Sequence, residues 1–303
     1  MSVDLAVDVG SVRLSDPIMT ASGTAGYGTE FAPFFDLGSI GAIVTKSIAA
    51  YEWAGNPAPR VHPTPHGMLN AVGLQGPGVE HWLDEQLPAL CATGATVVCS
   101  IWGRSIDDYR RASELLAAAP DDVVAVEVNL SCPNLEGRGS IFAQDPALSA
   151  EVIAATAACG RPRWAKLSAN TDRIVDVAGA VAGAGAEAVT LINTLLGLVY
   201  DADSWRPALG AGGGGLSGRA IHPVAVRAAH DVHQALPELP IVGVGGVASG
   251  WDAVELLLAG ACAVQVGTAN FADPRACPRI RDEVTAILAR RGIHRVIDVR
   301  GVV

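Results

Sequence analysis

The sequence predicts an α/β fold in which eight strand–helix units close into one (β/α)8 TIM barrel. Eight short apolar segments rich in β-branched residues recur along the 303 residues, and stretches with helical periodicity separate them. Near-continuous apolar runs are typical of parallel strands that are covered on both faces. Eight such units in about 250 residues match the size of a TIM barrel. The predicted strands span residues 17–23, 42–48, 96–103, 123–131, 163–169, 188–194, 240–247 and 263–269.

Start and stop signals support the helices between these strands. Asp145-Pro146 and Asp273-Pro274 each place an N-cap residue before a proline at the first helical position. Glycines follow several of the helical stretches, as expected of C-caps. The alternative, an open doubly wound sheet, requires a G-x-G-x-x-G turn after the first strand. The glycines of residues 23–28 have a different spacing, so the barrel is favoured. The predicted helices include 107–119, 146–159, 173–184, 223–236, 251–259 and 274–291.

Three segments outside the strand–helix units add detail. Residues 4–14 predict a short hairpin that precedes the first barrel strand and covers the barrel bottom. The connections 49–78 and 195–218 follow strands two and six and are far longer than the usual 2–6 residues. Because they follow strands, both lie at the carboxyl-terminal face of the barrel, where long loops are usually lids or substrate loops. Since no linker divides the chain, we expect a single domain over residues 1–303.

Composition excludes several classes of function. Hydrophobic residues make up 50% of the chain and charged residues 17%, which predicts a large core. The net charge of −10 argues against non-specific binding to nucleic acids or anionic membranes. With no signal peptide or long apolar run, we expect a cytoplasmic protein. The six cysteines have no C-x-x-C spacing, which predicts no metal site and no iron–sulfur cluster in this chain.

Two glycine-rich strand ends predict a phosphate site. Strand seven ends with Gly243, Gly245 and Gly246, and strand eight ends with Gly267 and Thr268. TIM barrels commonly bind phosphate through backbone N–H groups in these two loops. The alternative is that the glycines only close tight turns. Because both loops carry the pattern, we expect a phosphate-bearing cofactor at the barrel mouth.

The two lysines of the chain, Lys46 and Lys166, both fall in predicted strands. A lysine in an apolar strand is costly unless it is paired or used. A cation beside the flavin ring stabilises the anion formed on two-electron reduction, so FMN suits this pair. A non-redox isomerase or aldolase that uses the same phosphate loops and Lys166 as a Schiff base is the alternative from another class.

Amide side chains and one cysteine surround the same mouth. Amides offer both donors and acceptors, and several together suit a small heterocycle with alternating C=O and N–H edges. Cys132 begins the loop after strand four and could accept a proton if its pKa is modestly depressed. The amide and hydroxyl set consists of Asn70, Asn129, Asn134, Asn193 and Thr194.

Together these motifs resemble dihydroorotate dehydrogenase of class 1. The matching segments follow in order over about 250 residues and are specific as a set, although many FMN barrels share the glycine loops. They are residues 21–23, 45–47, 70–75, 129–134, 166–168, 193–197, 214–218, 243–246 and 265–269.

The resemblance implies oxidation of dihydroorotate to orotate in pyrimidine biosynthesis. Cys132 would remove the C5 proton while the C6 hydride passes to FMN, with Lys46 and Lys166 also at the catalytic centre. The implied FMN contacts are Ser22, Lys46, Ser47, Ser100, Asn129, Lys166, Ile192, Gly218, Gly245, Gly246, Gly267 and Thr268. The implied substrate contacts are Lys46, Asn70, Ala71, Val72, Gly73, Leu74, Asn129, Asn134, Asn193 and Thr194.

Within class 1, segments 70–75 and 193–197 resemble the NAD-linked subclass 1B. That subclass implies a homodimeric core, or a heterotetramer with an iron–sulfur flavoprotein that carries FAD and a [2Fe–2S] cluster. Subclass 1A, a homodimer that reduces fumarate, stays open. Ser100 stands where the family usually has an FMN-contacting Asn, and Trp102, Arg104 and Arg219 also depart from the pattern. These departures leave open another cyclic amide as substrate.

Overall fold

A computed structural model describes residues 3–131 and 141–302. The strands, in chain order, are β1 (Val7–Val9), β2 (Val12–Leu14), β3 (Ile18–Thr20), β4 (Ile43–Val44), β5 (Val61–Thr64), β6 (Gly67–Asn70), β7 (Val97–Ile101), β8 (Val123–Asn129), β9 (Arg163–Lys166), β10 (Ala188–Leu191), β11 (Leu195–Gly197), β12 (Gly214–Ser217), β13 (Ile241–Val244) and β14 (Ala263–Val266).

Eight of these strands form one parallel barrel. Their order is β3-β14-β13-β10-β9-β8-β7-β4, and a bridge between Met19 and Ala42 joins the two ends. All eight lie inside the predicted segments, so the predicted (β/α)8 TIM barrel is confirmed. Each observed strand begins within one residue of its predicted start and ends before its predicted end, because the last residues of each segment leave the hydrogen-bond ladder at the barrel mouth.

Helices cover the outside of the barrel. They are α1 (Val79–His81), α2 (Leu87–Cys91), α3 (Ile106–Leu116), α4 (Pro146–Ala155), α5 (Ile174–Gly183), α6 (His222–Ala235), α7 (Gly250–Leu258), α8 (Ala269–Ala272) and α9 (Ala276–Arg290), with a π-helical turn at Trp82–Gln86. Shorter 3₁₀ turns lie at Leu37–Ser39, Phe142–Gln144, Ala157–Cys159, Arg219–Ile221 and Val296–Val299. Within the described ranges, no helix is long and apolar enough to span a membrane.

One predicted helix start is confirmed and one is wrong. The Asp145 side chain accepts a hydrogen bond from the Leu148 N–H, and α4 begins at Pro146 as predicted. Asp273, however, caps the C-terminus of the short α8, and its side chain accepts from the Arg275 N–H and pairs with Arg279. A turn therefore intervenes, and the long helix α9 begins at Ala276 rather than Pro274.

The predicted hairpin is present as the antiparallel pair β1–β2. Val9 and Leu14 are fully buried. In the turn of the hairpin, the Ser11 N–H and hydroxyl both donate to the Glu187 carboxylate, just before the start of β10. The hairpin thus packs against the amino-terminal end of the barrel, opposite the face where the strand ends gather.

The two long connections form a second sheet above the barrel mouth. The strands β11, β12, β6 and β5 pair in that order and are antiparallel throughout. Asn70 at the end of β6 lies opposite Gly215 of β12. We call these four strands the mouth sheet. The prediction of functional loops at this face did not include their pairing with one another.

Candidate active site

A cavity of about 400 Å³ opens at the carboxyl ends of the barrel strands, beneath the mouth sheet. Both lysines of the chain line it, together with amide, hydroxyl and glycine residues. No carboxylate lines it among the residues that the structure describes. A chain with a net charge of −10 thus presents a locally cationic cavity. Such a cavity favours an anionic ligand, and its volume is typical of small-molecule sites.

The floor of the cavity is a buried polar network around Lys166. The Lys166 Nζ donates to the Ser22 hydroxyl at 3.0 Å, to Glu127 Oε1 at 3.3 Å and to the Gln265 side-chain oxygen at 3.3 Å. The second Glu127 oxygen accepts from Gln265 at 2.6 Å and from the Thr190 hydroxyl at 3.2 Å. We call these five side chains the floor network. The partners of Lys166 hold its ammonium group in one place at the floor of the cavity.

Glu127 and Gln265 are the functional residues that the sequence analysis missed. Both are fully buried, and each lies on a barrel strand with its side chain turned inward. A signal was present, because Glu127 is two residues before Asn129 and alternation places both on one face of the strand. A carboxylate on that face of strand four is the expected counter-ion of a lysine in strand five.

A second group of hydrogen bonds joins strands two, three and four. The Asn129 side-chain amide donates to the Ser47 hydroxyl at 3.3 Å, and the Ser47 and Ser100 hydroxyls are 2.9 Å apart. Ser47 and Asn129 line the cavity, whereas Ser100 is fully buried and is not a lining residue. The predicted direct contact of Ser100 with a cofactor stays a prediction. In the structure its hydroxyl points into the barrel, where it contacts the Ser47 hydroxyl and lies 3.5 Å from Glu127 Oε1.

Glycine backbones form the end of the cavity near strands seven and eight. Gly218 and Gly246 have φ of +95° and +70°, and a Cβ on Gly246 would lie 2.9 Å from the Gly218 carbonyl oxygen. The Ser217 and Thr268 hydroxyls meet at 2.8 Å beside them. In the described chain, the N–H groups of Gly246 and Thr268 have no acceptor. Two free N–H groups in a glycine cradle are what an anionic phosphate group requires.

The opposite wall carries the amides. Asn193 donates from its side chain to the Asn129 side-chain oxygen at 3.0 Å and accepts from the Thr194 N–H at 2.7 Å. The Asn70 amide donates to the Gly215 carbonyl at 3.2 Å, which ties β6 to β12. Asn170, which was not predicted, bonds to the Thr194 carbonyl and so fixes the start of the second long connection.

An aromatic cluster supports the segment 70–74 from outside the cavity. Tyr51, Trp53 and Trp102 contact one another edge-to-face, with ring centroids 6.3–6.5 Å apart. The Arg104 guanidinium lies 4.6 Å from the centre of the Trp53 ring. The Trp53 indole N–H donates to the Gly73 carbonyl at 3.0 Å. Trp102 and Arg104 therefore act on the cavity through Trp53 and are not lining residues.

The predicted site residues can be placed as follows. Cys132 and Asn134 lie outside the described residues, so their predicted roles stay predictions. Ser100 lies below the cavity. All the others line one cavity, as predicted for a shared site: Ser22, Lys46, Ser47, Asn70, Ala71, Val72, Gly73, Leu74, Asn129, Lys166, Ile192, Asn193, Thr194, Gly218, Gly245, Gly246, Gly267 and Thr268.

Three other cysteines are poor candidates for a base. Cys99 and Cys277 are buried, and burial raises the pKa of each thiol to about 12. Cys262 is also buried, which raises the pKa of its thiol as well. These three thiols stay protonated near neutral pH, and none of them lines the cavity.

His222, Asp252 and Glu255 form the one group of potential metal ligands found among the described residues, with ligand atoms within 4.8 Å of one another. Asp252, however, accepts from the N–H groups of Ala248 and Ser249 and contacts Arg219. Its carboxylate is thus the cap of α7, and the group does not read as a metal site.

A TIM barrel with a cationic mouth cavity and a glycine cradle for phosphate defines the class of barrel enzymes that bind a phosphate-bearing cofactor. The family model of dihydroorotate dehydrogenase matches residues 4–288. The chain belongs to this family and is an oxidoreductase of that type, which confirms the resemblance inferred from the motifs.

Similar proteins carry the name of the NAD-linked subclass. The catalytic subunit of dihydroorotate dehydrogenase B (NAD(+)) from Geotalea daltonii is 45% identical over 98% of this chain and 97% of its own. The subunit of the same name from Desulforudis audaxviator is 45% identical over 99% and 98% of the two chains. That from Pelobacter propionicus is 43% identical over 99% of both.

Proposed function

We propose that this chain is the catalytic subunit of an NAD-linked dihydroorotate dehydrogenase, which oxidises dihydroorotate to orotate in pyrimidine biosynthesis. The observation that carries the proposal is the mouth cavity, with two lysines, an amide wall and no carboxylate among its described lining residues. Dihydroorotate combines a carboxylate with a ring of alternating C=O and N–H groups. The cavity offers a cation for the first and amides for the second.

FMN fits the donor set of this cavity. The free N–H groups of Gly246 and Thr268, together with the Ser217 and Thr268 hydroxyls, suit the phosphate. Lys166, Ser22 and Asn129 would hold the ring at the other end. When bound, FMN supplies the acceptor for two electrons, and a nearby ammonium favours the anionic charge that reduction creates.

The chain's own residues would position the substrate between the flavin ring and the mouth sheet. Lys46 supplies a positive charge for the carboxylate, and residues 70–74 follow β6 directly along one wall. Asn129 and Asn193 are already linked to each other, so the directions of their side chains are preset. Preset polar groups lower the ordering cost of binding.

We assign the proton transfer to Cys132. The residue follows β8 and Ser131, which lines the cavity, and the predicted chemistry is removal of the C5 proton by the thiolate. Replacing Cys132 with Ala is expected to leave the flavin bound and to reduce turnover about 10²–10⁴-fold, the usual contribution of a general base. Cys132→Ser is expected to be slow and to improve at high pH.

The alternatives lose their motivation in this geometry. Another cyclic amide was suggested by Ser100, Trp102 and Arg104, but none of these three lines the cavity. A Schiff base requires a neutral amine, whereas the Lys166 ammonium is ion-paired with the buried Glu127. Dihydroorotate oxidation is the reaction that the lining residues support best.

The subclass suggests a division of labour between two chains. We propose one FMN in this chain and FAD with a [2Fe–2S] cluster in a separate partner subunit, in a heterotetramer built on a homodimer. The words "catalytic subunit" in the names of the relatives support a second chain. We further propose that residues 1–303 act as one domain, in the cytoplasm.

Anaerobic flavin reduction tests the proposal. Purified protein carrying FMN is mixed with dihydroorotate without oxygen, and the visible flavin absorbance is followed. Rapid bleaching is expected, with none from dihydrouracil, which lacks the carboxylate. Reoxidation by NAD⁺ is expected only with the partner subunit, whereas rapid reoxidation by fumarate would indicate subclass 1A. A flavin that dihydroorotate leaves oxidised would contradict the proposed function.

A further inference from the structure

His222 lies directly behind the phosphate cradle and has no role in the site described so far. It begins α6, and its side chain is buried. A Cβ on Gly246 would lie 2.7 Å from the His222 Cβ, so the loop after β13 rests against this residue. Contact this close means that the position of His222 bears on the conformation of the loop.

Both ring nitrogens of His222 face oxygen atoms that can only accept. Nδ1 is 2.8 Å from the Gly245 carbonyl oxygen, and Nε2 is 3.3 Å from Glu255 Oε2. The Gly245 carbonyl oxygen can only accept, so Nδ1 carries the proton in this contact. Glu255 therefore orients the ring from α7, while the opposite edge donates to the loop. Arg219 and Asp252, the other charged groups beside it, pair with each other.

Peptide geometry converts this contact into an orientation for the cradle. In a trans peptide, the carbonyl oxygen and the N–H of the next residue point in opposite directions. Because the Gly245 oxygen points back to His222, the Gly246 N–H points the other way. Gly246 lines the cavity, and its N–H has no acceptor in the described part of the chain.

We propose that His222 is a positioning residue for phosphate binding: its Nδ1–H fixes the Gly245–Gly246 peptide so that the Gly246 N–H is aimed at the cofactor phosphate. This inference rests on the proposed binding of FMN and adds a residue outside the cavity to it. Without the contact, the glycine pair can rotate and must be ordered again each time a phosphate binds.

Two isosteric variants separate the two edges of the ring. His222→Asn keeps a donor near the Nδ1 position, and His222→Gln keeps one near the Nε2 position. Dissociation constants for FMN and for riboflavin, which lacks the phosphate, are measured by flavin fluorescence on the full-length chain after dialysis of the flavin. Circular dichroism checks the fold of each variant before titration.

His222→Gln is expected to bind FMN about tenfold more weakly than the natural chain. This corresponds to loss of the hydrogen bond from the Gly246 N–H to the charged phosphate. Its affinity for riboflavin should stay unchanged, and His222→Asn should bind FMN within about threefold of the natural chain. Equal weakening for both flavins would reduce His222 to a packing role and overturn the inference, as would an unchanged FMN affinity in His222→Gln. A natural chain that binds FMN but is not reduced by dihydroorotate would contradict the proposed function and leave this result standing.

Discussion

The floor of the cavity and the mouth sheet above it are built in different ways. The floor network consists of side chains from four barrel strands and the start of the loop after β3, and its members are bonded to one another. The mouth sheet consists of two long connections that meet through backbone pairing between β6 and β12. We infer that the floor is tied to the stability of the whole barrel, while the mouth sheet governs substrate placement.

The largest expected effect concerns the floor. Glu127→Ala leaves the buried Lys166 ammonium without its counter-ion, and such a loss costs about 3–5 kcal/mol. We expect the free energy of unfolding, measured with urea, to fall by that amount. Glu114→Ala on the exposed face of α3 is the control and should change it by less than about 0.5 kcal/mol.

A double variant sharpens the same prediction. Glu127→Leu combined with Lys166→Met removes both charges, and apolar pairs often replace buried ion pairs without loss of stability. The double variant should therefore be more stable than Glu127→Ala, although it should not turn over substrate. If the single and double variants were equally unstable, the ion pair would not be the reason for the loss.

The second prediction breaks the mouth sheet and leaves the floor intact. A Cβ at Gly67 would lie 1.9 Å from the Ser217 carbonyl oxygen, so Gly67→Ala must push β6 away from β12. Residues 70–74 follow β6, and a displacement of about 1 Å at a reacting centre can lower the rate about 100-fold. We expect kcat/KM to fall by about that factor while the unfolding transition persists. The affinity for FMN should fall as well, because the displaced residues include Ser217 and Gly218 of the glycine cradle.

The matched control for this variant is Gly183→Ala in α5, where the new methyl group meets no atom within 4 Å. It should leave kcat/KM unchanged and slightly stabilise the helix, since alanine is favoured over glycine there. A loss of activity in the control, or none in Gly67→Ala, would contradict the role given to the mouth sheet.

The two regions also differ in how far the sequence predicts them. The barrel strands, both lysines and the two glycine loops were predicted because each is a local pattern of apolar runs, rare charges or strand ends. The pairing of β6 with β12 was not, because about 145 residues separate them and their glycine-rich segments carry no alternation. Glu127 was missed because a single charge in an apolar strand indicates an ion pair only once Lys166 is known to lie beside it on the neighbouring strand.

The same limit explains the wrong helix start at Asp273. Asp-Pro before an apolar run is a sound N-cap signal, but the side chain pairs with Arg279 and accepts from the Arg275 N–H. Both partners lie downstream, and the sequence alone does not show whether Asp273 caps a helix or bonds to these two residues. Ser100 is a similar case, since its strand is predicted and its inward direction is set by the barrel.

The third prediction concerns stability at the amino-terminal end of the barrel, far from either region of the site. Asp16 is buried, and burial raises the pKa of its carboxyl group from 3.8 to about 7, despite the opposing Ile18 N–H and Arg281. The folded state therefore holds this proton more tightly than the unfolded state. Stability from this group is complete below about pH 4, declines as the pH rises towards 7 and is absent above it.

Asp16→Asn removes this titration. A tenfold change in an equilibrium constant corresponds to about 1.4 kcal/mol, and local relaxation lessens the cost of the buried charge. We therefore expect the free energy of unfolding to rise by about 2 kcal/mol at pH 8. At pH 4 the variant and the natural chain should differ little. The free energy of unfolding is measured for both chains at the two pH values. An equal difference between the chains at both pH values would show that Asp16 does not cause the pH dependence.

The smallest expected effect tests how the mouth sheet is supported from outside. Trp53→Phe keeps the edge-to-face contacts with Tyr51 and Trp102 but removes the N–H that donates to the Gly73 carbonyl. A neutral hydrogen bond contributes about 0.5–1.5 kcal/mol. Because the bond orders residues 70–74 before the substrate arrives, its loss should raise KM for dihydroorotate about two- to tenfold and leave kcat nearly unchanged. Trp251→Phe on α7 is the control and should change neither constant. A fall in kcat with constant KM would mean that Trp53 acts on the reacting geometry itself rather than on the ordering of residues 70–74 before the substrate binds.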